Sequence, residues 1–330
     1  MEYRNLGAAG VKVSPLCLGT MMFGRWGNPD HADAVRIIHR ALDAGINFLD
    51  TANVYSHGEA EEIVGRAIAG RRQQVVLATK VWGPMGPGPN DRGLSRKAIQ
   101  EQCEASLRRL GTDVIDLYLI HRPDPETRWE ETLSALSDLV RQGKVRYLGC
   151  STNDREVPGQ RRLPAWEIVE TLALAERRHL ERFAVLQPPY SLLRRTMERD
   201  HFPMCQRHGL GVMVWSPLEG GFLAGKYRRG EPNPKDSPRA AQWVGDTTEP
   251  RFERRLSAVE ALADVAAGMG VPLAQAALAW TLLHPAVAST IIGPRTMAQL
   301  EGNLRALEVT FRPEDLSRVD EIVPPETSAL

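Results

Sequence analysis

Apolar runs of four to seven residues recur along the chain, and a longer amphipathic segment follows each of them. Eight runs have the length and composition of β-strands: residues 16–19, 47–50, 75–79, 114–120, 145–150, 184–187, 211–215 and 288–292. The first amphipathic segment has its apolar residues at i, i+3, i+4 and i+7 spacing, which is typical of one helix face: Ala34, Ile37, Ile38, Ala41 and Leu42. Apolar strands that alternate with such helices predict a parallel sheet covered by helices.

Eight strand and helix units predict that this sheet closes on itself. The expected fold is of the α/β class, a (β/α)8 TIM barrel, with a short Gly-containing N-terminal β-hairpin at residues 3–14. An open, doubly wound sheet is the alternative. No Gly-x-Gly-x-x-Gly follows any predicted strand, so the Rossmann dinucleotide fingerprint is absent. No repeat or linker divides the sequence, and we expect a single domain over residues 1–330.

Composition and charge narrow the class of ligand. The 330 residues include 41 basic and 41 acidic side chains, which leaves no net charge to attract nucleic acid or an acidic membrane. A small-molecule ligand is therefore expected. The four cysteines are far apart with no Cys-x-x-Cys, and the first residues lack the apolar core of a signal peptide. These features favour a reduced, cytoplasmic protein. The charge-free stretch 265–294 is broken by Gly and Pro, and its longest apolar run, 273–283, predicts a buried helix.

Four side chains with useful chemistry stand at or just after the ends of predicted strands, where TIM barrels carry their active sites: Asp50, Tyr55, Lys80 and His121. Singly, each has a structural interpretation, as a helix cap, a rim aromatic, an edge charge or a core histidine. Their coincidence on consecutive strands favours a catalytic site instead.

The chemistry of the four groups is complementary. A tyrosine hydroxyl has a pKa of about 10, and an adjacent ammonium such as that of Lys80 lowers it by favouring the phenolate. Asp50 would keep Lys80 protonated, and His121 would donate a hydrogen bond to a carbonyl oxygen on which negative charge develops. This set predicts a proton donor for a carbonyl group that receives hydride. The hydride must come from a cofactor, because no side chain supplies it.

Four motifs carry a family resemblance: NFLDTANVY at 47–55, GEAEEIVG at 58–65, ATK at 78–80 and DLYLIH at 116–121. Together they resemble the aldo-keto reductase family, in the branch of bacterial aldo/keto reductases and potassium-channel β subunits. The resemblance covers nearly the whole chain. It implies a (β/α)8 barrel that reduces aldehydes or ketones with NADPH, with Asp50, Tyr55, Lys80 and His121 in the positions of the family's tetrad and Tyr55 as general acid.

The same resemblance implies where the cofactor lies. The implied contacts are Gly19, Thr20, Met21 and Asp50 at the nicotinamide ribose, Ser151, Thr152 and Gln187 at the carboxamide, Trp215 stacked on the nicotinamide ring, Ser216, Pro217, Leu218, Gly220, Gly221 and Lys226 at the pyrophosphate, and Gly293, Arg295, Thr296, Gln299 and Asn303 at the adenosine. Arg295 and Arg239 would contact the 2′-phosphate. The long segment 218–250 would lie over the cofactor. Thr152 stands where relatives often have Asn, and Gly302 where they often have an acid.

Substrate specificity in this family lies in loops at the barrel mouth. Met22, Trp26 and Trp82 predict an apolar, aromatic entrance for a small carbonyl compound, although each residue is equally compatible with packing at the rim. The sequence does not define the physiological substrate or the oligomeric state.

Three rival interpretations remain beside the reductase. A nucleotide-binding regulatory subunit with little catalysis would suit the channel branch, but the channel subunits lack a histidine where His121 stands. Lys80 would alternatively be the Schiff-base lysine of a barrel aldolase. His201, Cys205 and His208 share a helix face at i, i+4 and i+7, but Pro203 and the lack of a fourth ligand favour a packed helix over a metal site.

Overall fold

Eight parallel strands close into a barrel in the computed structural model, which describes residues 1–154, 161–231, 233, 249 and 252–330. A two-stranded antiparallel hairpin, β1 (Arg4–Asn5) and β2 (Lys12–Val13), precedes them. The barrel strands are β3 (Leu16–Gly19), β4 (Phe48–Asp50), β5 (Val76–Val81), β6 (Ile115–Ile120), β7 (Val145–Ser151), β8 (Phe183–Gln187), β9 (Gly211–Val214) and β10 (Val287–Ile292). Each pairs with its sequence neighbour, and β10 pairs with β3 to close the ring. The predicted (β/α)8 barrel with its hairpin is confirmed.

The helices cover the outside of the barrel. Their bounds are α1 (His31–Asp43), α2 (Glu59–Ile68), α3 (Arg96–Leu110), α4 (Trp129–Arg141), α5 (Ala165–Arg177), α6 (His201–His208), α7 (Glu253–Gly268), α8 (Leu273–Thr281), α9 (Met297–Leu304) and α10 (Pro313–Ile322). On α1 the five predicted apolar residues are all buried, and Asp30 caps the helix by accepting from the backbone of Asp33. The amphipathic pattern therefore identified the packing face correctly.

Alternating residues of the strands fill the barrel interior. The inner cluster contains Cys17, Phe48, Ala78, Leu117, Leu119, Val185, Met213 and Ala288. Because side chains alternate along a strand, the residue two positions further on points to the same interior. That rule leads from Phe48 to Asp50, from Ala78 to Lys80 and from Leu119 to His121. The polar residues thus form the last inward-facing layer, at the carboxyl ends of the strands.

The hairpin closes the opposite end of the barrel. Leu6 and Val13 are buried and belong to the same inner cluster. Gly7, with φ of +62°, lies against the backbone of Gly211, where a Cβ would come within 2.2 Å of a nitrogen atom. Only glycine fits this close approach, so the contact fixes how the hairpin seats under β9.

Most observed strand boundaries lie within one residue of the prediction, and two boundaries differ from it by two residues. Strand β5 continues to Val81 because Lys80 and Val81 pair with Leu119 and Ile120 of β6. Lys80 therefore lies inside a strand, where its backbone is fixed. Helix α8 matches the predicted buried helix but ends at Thr281. Within the described ranges no single helix is long and apolar enough to span a membrane; α7 and α8 reach that length only as a pair bent by 93°.

Candidate active site

Lys80 is hydrogen-bonded to two of the other three predicted residues, Asp50 and Tyr55. Its Nζ donates to Asp50 Oδ2 at 2.7 Å, to the Thr51 carbonyl at 2.8 Å and to Tyr55 Oη at 3.2 Å. The Lys80 side chain is 0% exposed and that of Asp50 4%. An ammonium has three N–H donors, and all three have an acceptor here. The charged pair therefore sits in a fixed geometry, with the phenol as its third member.

Tyr55 is held by an unusual turn. It begins a short 3-10 segment, Tyr55–Gly58, in which the non-glycine residues Ser56 and His57 have φ of +49° and +55°. Such left-handed conformations persist where the surroundings stabilise them. Here Ser56 Oγ donates to the Phe23 carbonyl at 3.1 Å and accepts from the backbone of Trp26 at 3.3 Å. The turn that presents Tyr55 is thus tied to the loop at residues 22–28.

Electrostatics keep Lys80 charged. Burial by itself would lower the pKa of Lys80, but the Asp50 carboxylate and, after it, Tyr55 raise that pKa above its ordinary value. The side chain is therefore an ammonium at neutral pH. A Schiff-base lysine must instead be a neutral amine when it attacks. This geometry supports a structural and electrostatic use of Lys80 over a nucleophilic one.

His121 completes the cluster of predicted residues. Its ring contacts the ring of Tyr55 edge-on, with centroids 5.8 Å apart. Burial, followed by the charges of Lys80 and Arg122, lowers the pKa of His121 well below its ordinary value. The imidazole is therefore neutral at pH 7 and has one N–H donor on a ring that contacts the Tyr55 ring.

An apolar wall lines one side of Tyr55. Trp26 lies with its ring centroid 6.2 Å from that of Tyr55, and Met21 and Val54 pack against the same small cluster. Trp82 is partly buried against the main core, with the Arg92 guanidinium 5.5 Å from its ring centroid. Of the predicted entrance residues, Trp26 contacts the Tyr55 ring. The Met22 backbone carbonyl accepts a hydrogen bond from the Asn28 backbone N–H at 2.8 Å.

On the other side of Asp50 lies the set that the resemblance assigns to a carboxamide. Gln187 Nε2 donates to Asp50 Oδ1 at 2.9 Å, and Ser151 Oγ donates to the Gln187 carbonyl at 2.9 Å. Thr152 is diverted: its hydroxyl donates to the Leu163 carbonyl at 2.8 Å and accepts from the Leu163 amide at 3.0 Å. Thr152 therefore stabilises its own loop with its side chain. Thr20, next to Gly19, donates its hydroxyl to the Asp50 carbonyl at 3.1 Å.

Trp215 and the turn after it form the adjoining rim. Trp215 follows β9, is partly exposed, and donates its Nε1 to the Thr152 carbonyl at 3.3 Å. Ser216 and Glu219 have φ of +56° and +46°, and Gly220 and Gly221 follow with φ of +65° and +111°. Pro217 and Leu218 complete this turn, and the side chain of Lys226 packs against Gly221. Turns of such alternating hand can present backbone N–H groups to an anion.

The residues assigned to the adenosine lie after β10. Thr296 caps α9 by accepting from the Gln299 amide, and Gln299 Oε1 accepts from the Arg295 amide at 2.7 Å. Gly293 is exposed, Asn303 is partly exposed, and a side chain at Gly302 would enter open space. Arg239 and most of the segment 218–250 lie outside the described residues.

Sequence reasoning missed four groups at the mouth. Asn153 is buried, and its Nδ2 has no hydrogen-bond partner in the part of the chain that the structure describes. Arg122 carries a partly buried charge that acts on both His121 and Tyr55. Arg194 and Glu219 form a buried ion pair next to Trp215. For Arg122, its place directly after His121 was the available signal; the pair of Arg194 and Glu219 has no short-range sequence signal.

The possible metal site has a structural explanation. His201 Nε2 lies 3.2 Å from the Leu163 carbonyl, and burial lowers the pKa of His201. Cys205 is buried, and burial raises its pKa to about 12. Among the described residues there is no group of three or more His, Cys, Asp or Glu side chains placed to hold a metal ion.

Comparison with known proteins agrees with this architecture. The sequence profile of the Aldo/keto reductase family matches residues 15–324. The chain is 40% identical to the Uncharacterized oxidoreductase YrpG of Bacillus subtilis (strain 168), over 98% of this chain and 96% of that protein. It is 38% identical to the Probable voltage-gated potassium channel subunit beta of Arabidopsis thaliana and to that of Oryza sativa subsp. japonica, each over 98% of this chain and 97% of the relative. The chain belongs to the aldo/keto reductase family, and the protein is an oxidoreductase.

Proposed function

We propose that this protein is an NADPH-dependent oxidoreductase that reduces aldehyde or ketone carbonyls to alcohols, with Tyr55 as general acid. The observation that carries the proposal is the Nζ of Lys80, which is shared between Asp50 Oδ2 and Tyr55 Oη at 2.7 and 3.2 Å. A buried ammonium at hydrogen-bond distance stabilises the phenolate that remains when the proton leaves. The Asp50 carboxylate keeps that ammonium charged.

The residues around Asp50 fit a nicotinamide cofactor. A carboxamide offers one acceptor and one donor group. Asn153 Nδ2 is a buried donor without a partner among the described residues, and Gln187 keeps Oε1 available because its Nε2 is used by Asp50. Ser151 and Trp215 border the same space, and we take the turn 216–221 as the pyrophosphate site. When bound, the nicotinamide supplies the hydride.

The chain's own residues then position and protonate the substrate. The substrate carbonyl oxygen lies between Tyr55 Oη and the neutral ring of His121, which both donate hydrogen bonds to it. Tyr55 gives its proton to that oxygen as negative charge develops, and Lys80 stabilises the resulting phenolate. Trp26 and Met21 exclude water from one side of the Tyr55 ring. We also propose that residues 1–330 form one domain.

The preference for NADPH over NADH is assigned to Arg295 and Arg239. Arg295 lies just before α9, where a guanidinium can make charge-assisted hydrogen bonds to the 2′-phosphate. Titration of Arg295→Ala with each cofactor, followed by nicotinamide fluorescence, tests this assignment. A loss of roughly ten- to more than a hundredfold should appear for NADPH alone. Equal losses for both cofactors would contradict it.

The test of the function is turnover. The purified protein should oxidise NADPH in the presence of an aldehyde or ketone panel, with the alcohol identified as product. Tyr55→Phe is the matched control, since it keeps the ring and its packing but lacks the acidic hydroxyl. Cofactor binding without turnover on any carbonyl would instead favour the second candidate, a nucleotide-binding regulatory subunit. That candidate rests on the relatives named as probable potassium-channel β subunits.

A further inference from the structure

A second buried ionic cluster lies at the barrel mouth, opposite Lys80. Arg194 is paired with Glu219 through two contacts of 3.0 Å, Nε with Oε1 and Nη2 with Oε2. Its Nη1 donates to Asp154 Oδ1 at 3.1 Å. The three side chains are 7 to 8% exposed. Nη2 donates a hydrogen bond to Glu219 and Nη1 donates one to Asp154, whereas the contact of Nε is ionic only, so the two carboxylates together fix the orientation of the guanidinium.

The cluster holds a strained turn. Glu219 is a non-glycine residue with φ of +46°, and Ser216, three residues before it, has φ of +56°. Left-handed residues of this kind cost roughly 1–2 kcal/mol each, so other contacts must stabilise them. Ser191 Oγ donates to Glu219 Oε1 at 3.1 Å, beside the Arg194 fork. The Glu219 side chain is therefore anchored from two directions, and through it the turn 216–221.

The same guanidinium also lies against Trp215. The Arg194 Cζ is 5.9 Å from the centroid of the indole, within the range of a cation–π contact. The far end of the indole is fixed by the hydrogen bond from Nε1 to the Thr152 carbonyl. One side chain thus contacts both the Trp215 ring and the turn that follows it.

We propose that Arg194 is a positioning residue for the cofactor: it holds Trp215 and the turn 216–221 in their binding geometry and neutralises Glu219 within that turn. This inference rests on the proposed function, which places the cofactor's pyrophosphate at 216–221. A carboxylate in a phosphate-binding turn repels the ligand unless a cation is paired with it. With Arg194 in place, the turn keeps its shape without that repulsion.

The test is a double-mutant cycle with an internal control. The variants are Arg194→Gln, Glu219→Gln and the double variant, and NADPH dissociation constants are measured by fluorescence. Arg195→Gln is the matched control, because Arg195 is equally buried and lies 5.0 Å from the Trp280 ring, but it pairs with Glu198 and Asp320 outside the mouth. Arg194→Lys, which keeps the charge but not the fork, serves if Arg194→Gln does not fold.

Arg194→Gln should weaken NADPH binding about 10- to 100-fold, whereas Arg195→Gln should change it less than threefold. Adding Glu219→Gln should recover most of the loss, because the unpaired carboxylate is then gone. Arg194→Lys should give an intermediate affinity. Without cofactor, hydrogen exchange of the peptide containing 216–223 should accelerate in Arg194→Gln and not in Arg195→Gln.

Two outcomes would overturn this role while leaving the reductase intact. One is a folded Arg194→Gln or Arg194→Lys protein that binds NADPH as the unmodified protein does. The other is a double variant no better than Arg194→Gln together with hydrogen exchange of 216–223 no faster than in Arg195→Gln, which would mean that the loss acts neither through Glu219 nor through the turn. Failure of the unmodified protein to bind NADPH would instead remove the proposed function, and with it this inference.

Discussion

Two buried aspartates lie at opposite ends of the same barrel. Each is paired with cationic side chains, but the two pairings have different consequences. Asp50, at the end of β4, accepts from Lys80 at 2.7 Å and from Gln187 at 2.9 Å. Asp116, near the start of β6, accepts from Arg72 at 2.7 Å, from the Leu77 amide at 2.9 Å and from Arg146. Both aspartate side chains are at most 7% exposed.

The difference lies in what the cation can do. The arginines at Asp116 remain charged at any physiological pH, and that cluster has no group able to release a proton. Lys80 has a third hydrogen bond, and this bond goes to the Tyr55 hydroxyl. The same charge pairing thus ties together backbone and side chains at one end, whereas at the other, in the mechanism we propose, it prepares a proton donor. Burial alone does not distinguish these two roles.

The largest effect is expected from Tyr55→Phe. It removes the hydroxyl and preserves the ring, so carbonyl reduction should fall about 10²- to 10⁴-fold while NADPH affinity and the melting temperature change little. The measurement is NADPH consumption with confirmed alcohol product, together with a thermal melt. Turnover near that of the unmodified enzyme would show that the two ends of the barrel do not differ as argued.

Lys80→Met should cause a similar loss by another route. The phenol remains, but the adjacent cation that stabilises its phenolate is gone. Because both changes disable one proton transfer, the Tyr55→Phe/Lys80→Met double variant should be about as slow as either single variant. Steady-state rates of the three proteins test this, and multiplicative losses would separate the two residues mechanistically.

Asp116→Asn should show the reverse profile. It leaves two arginines and a buried amide without their carboxylate, which should lower the free energy of unfolding by roughly 2–3 kcal/mol. Turnover per folded molecule should stay within about twofold, since the contacts of Asp116 among the described residues are with Arg72, Leu77 and Arg146, away from the mouth. Urea denaturation and a rate at saturating substrate give both numbers. A large loss of kcat in the folded protein would break the comparison.

The smallest effect concerns pH. Because the pKa of folded His121 lies well below its unfolded value, the unfolded chain binds more protons below about pH 6.5, and stability falls as pH falls. His121 should contribute to this loss between pH 7.5 and 5.5, because its pKa is lowered in the fold. His121→Asn should therefore give a flatter curve of unfolding free energy against pH in denaturant titrations. An unchanged slope would mean that folding does not lower the pKa of His121.

The sequence was most informative where a strand fixes the side chain. Asp50, Lys80 and His121 follow the inward alternation of their strands, so an apolar pattern is enough to bring them to one layer. Tyr55 lies beyond a strand end, yet the motif around it resembles the family's closely. These positions depend on short-range periodicity, which sequence records directly.

Turn geometry and long-range pairing were not predictable in this way. The left-handed conformations of Ser216 and Glu219 have no glycine to signal them, and the contact between Gln187 and Asp50 joins residues 137 positions apart. Thr152 stands where relatives often have Asn, so a weak contact with the carboxamide or none was expected of it; its hydrogen bonds to Leu163 had no signal in the sequence. Tertiary contacts determine these backbone conformations and hydrogen-bond partners, and a single sequence does not show which residues come into contact.

The hairpin under the barrel has a consequence for isotope exchange. Among the described residues Leu6 and Val13 are buried at the base, so we expect hydrogens on Lys80 Nζ to reach bulk water by way of the mouth. Any molecule seated on Tyr55 and Trp215 therefore blocks the exit for those hydrogens. In heavy water, protium on this ammonium would persist for as long as the occupant stays, and its decay would time the occupant's residence.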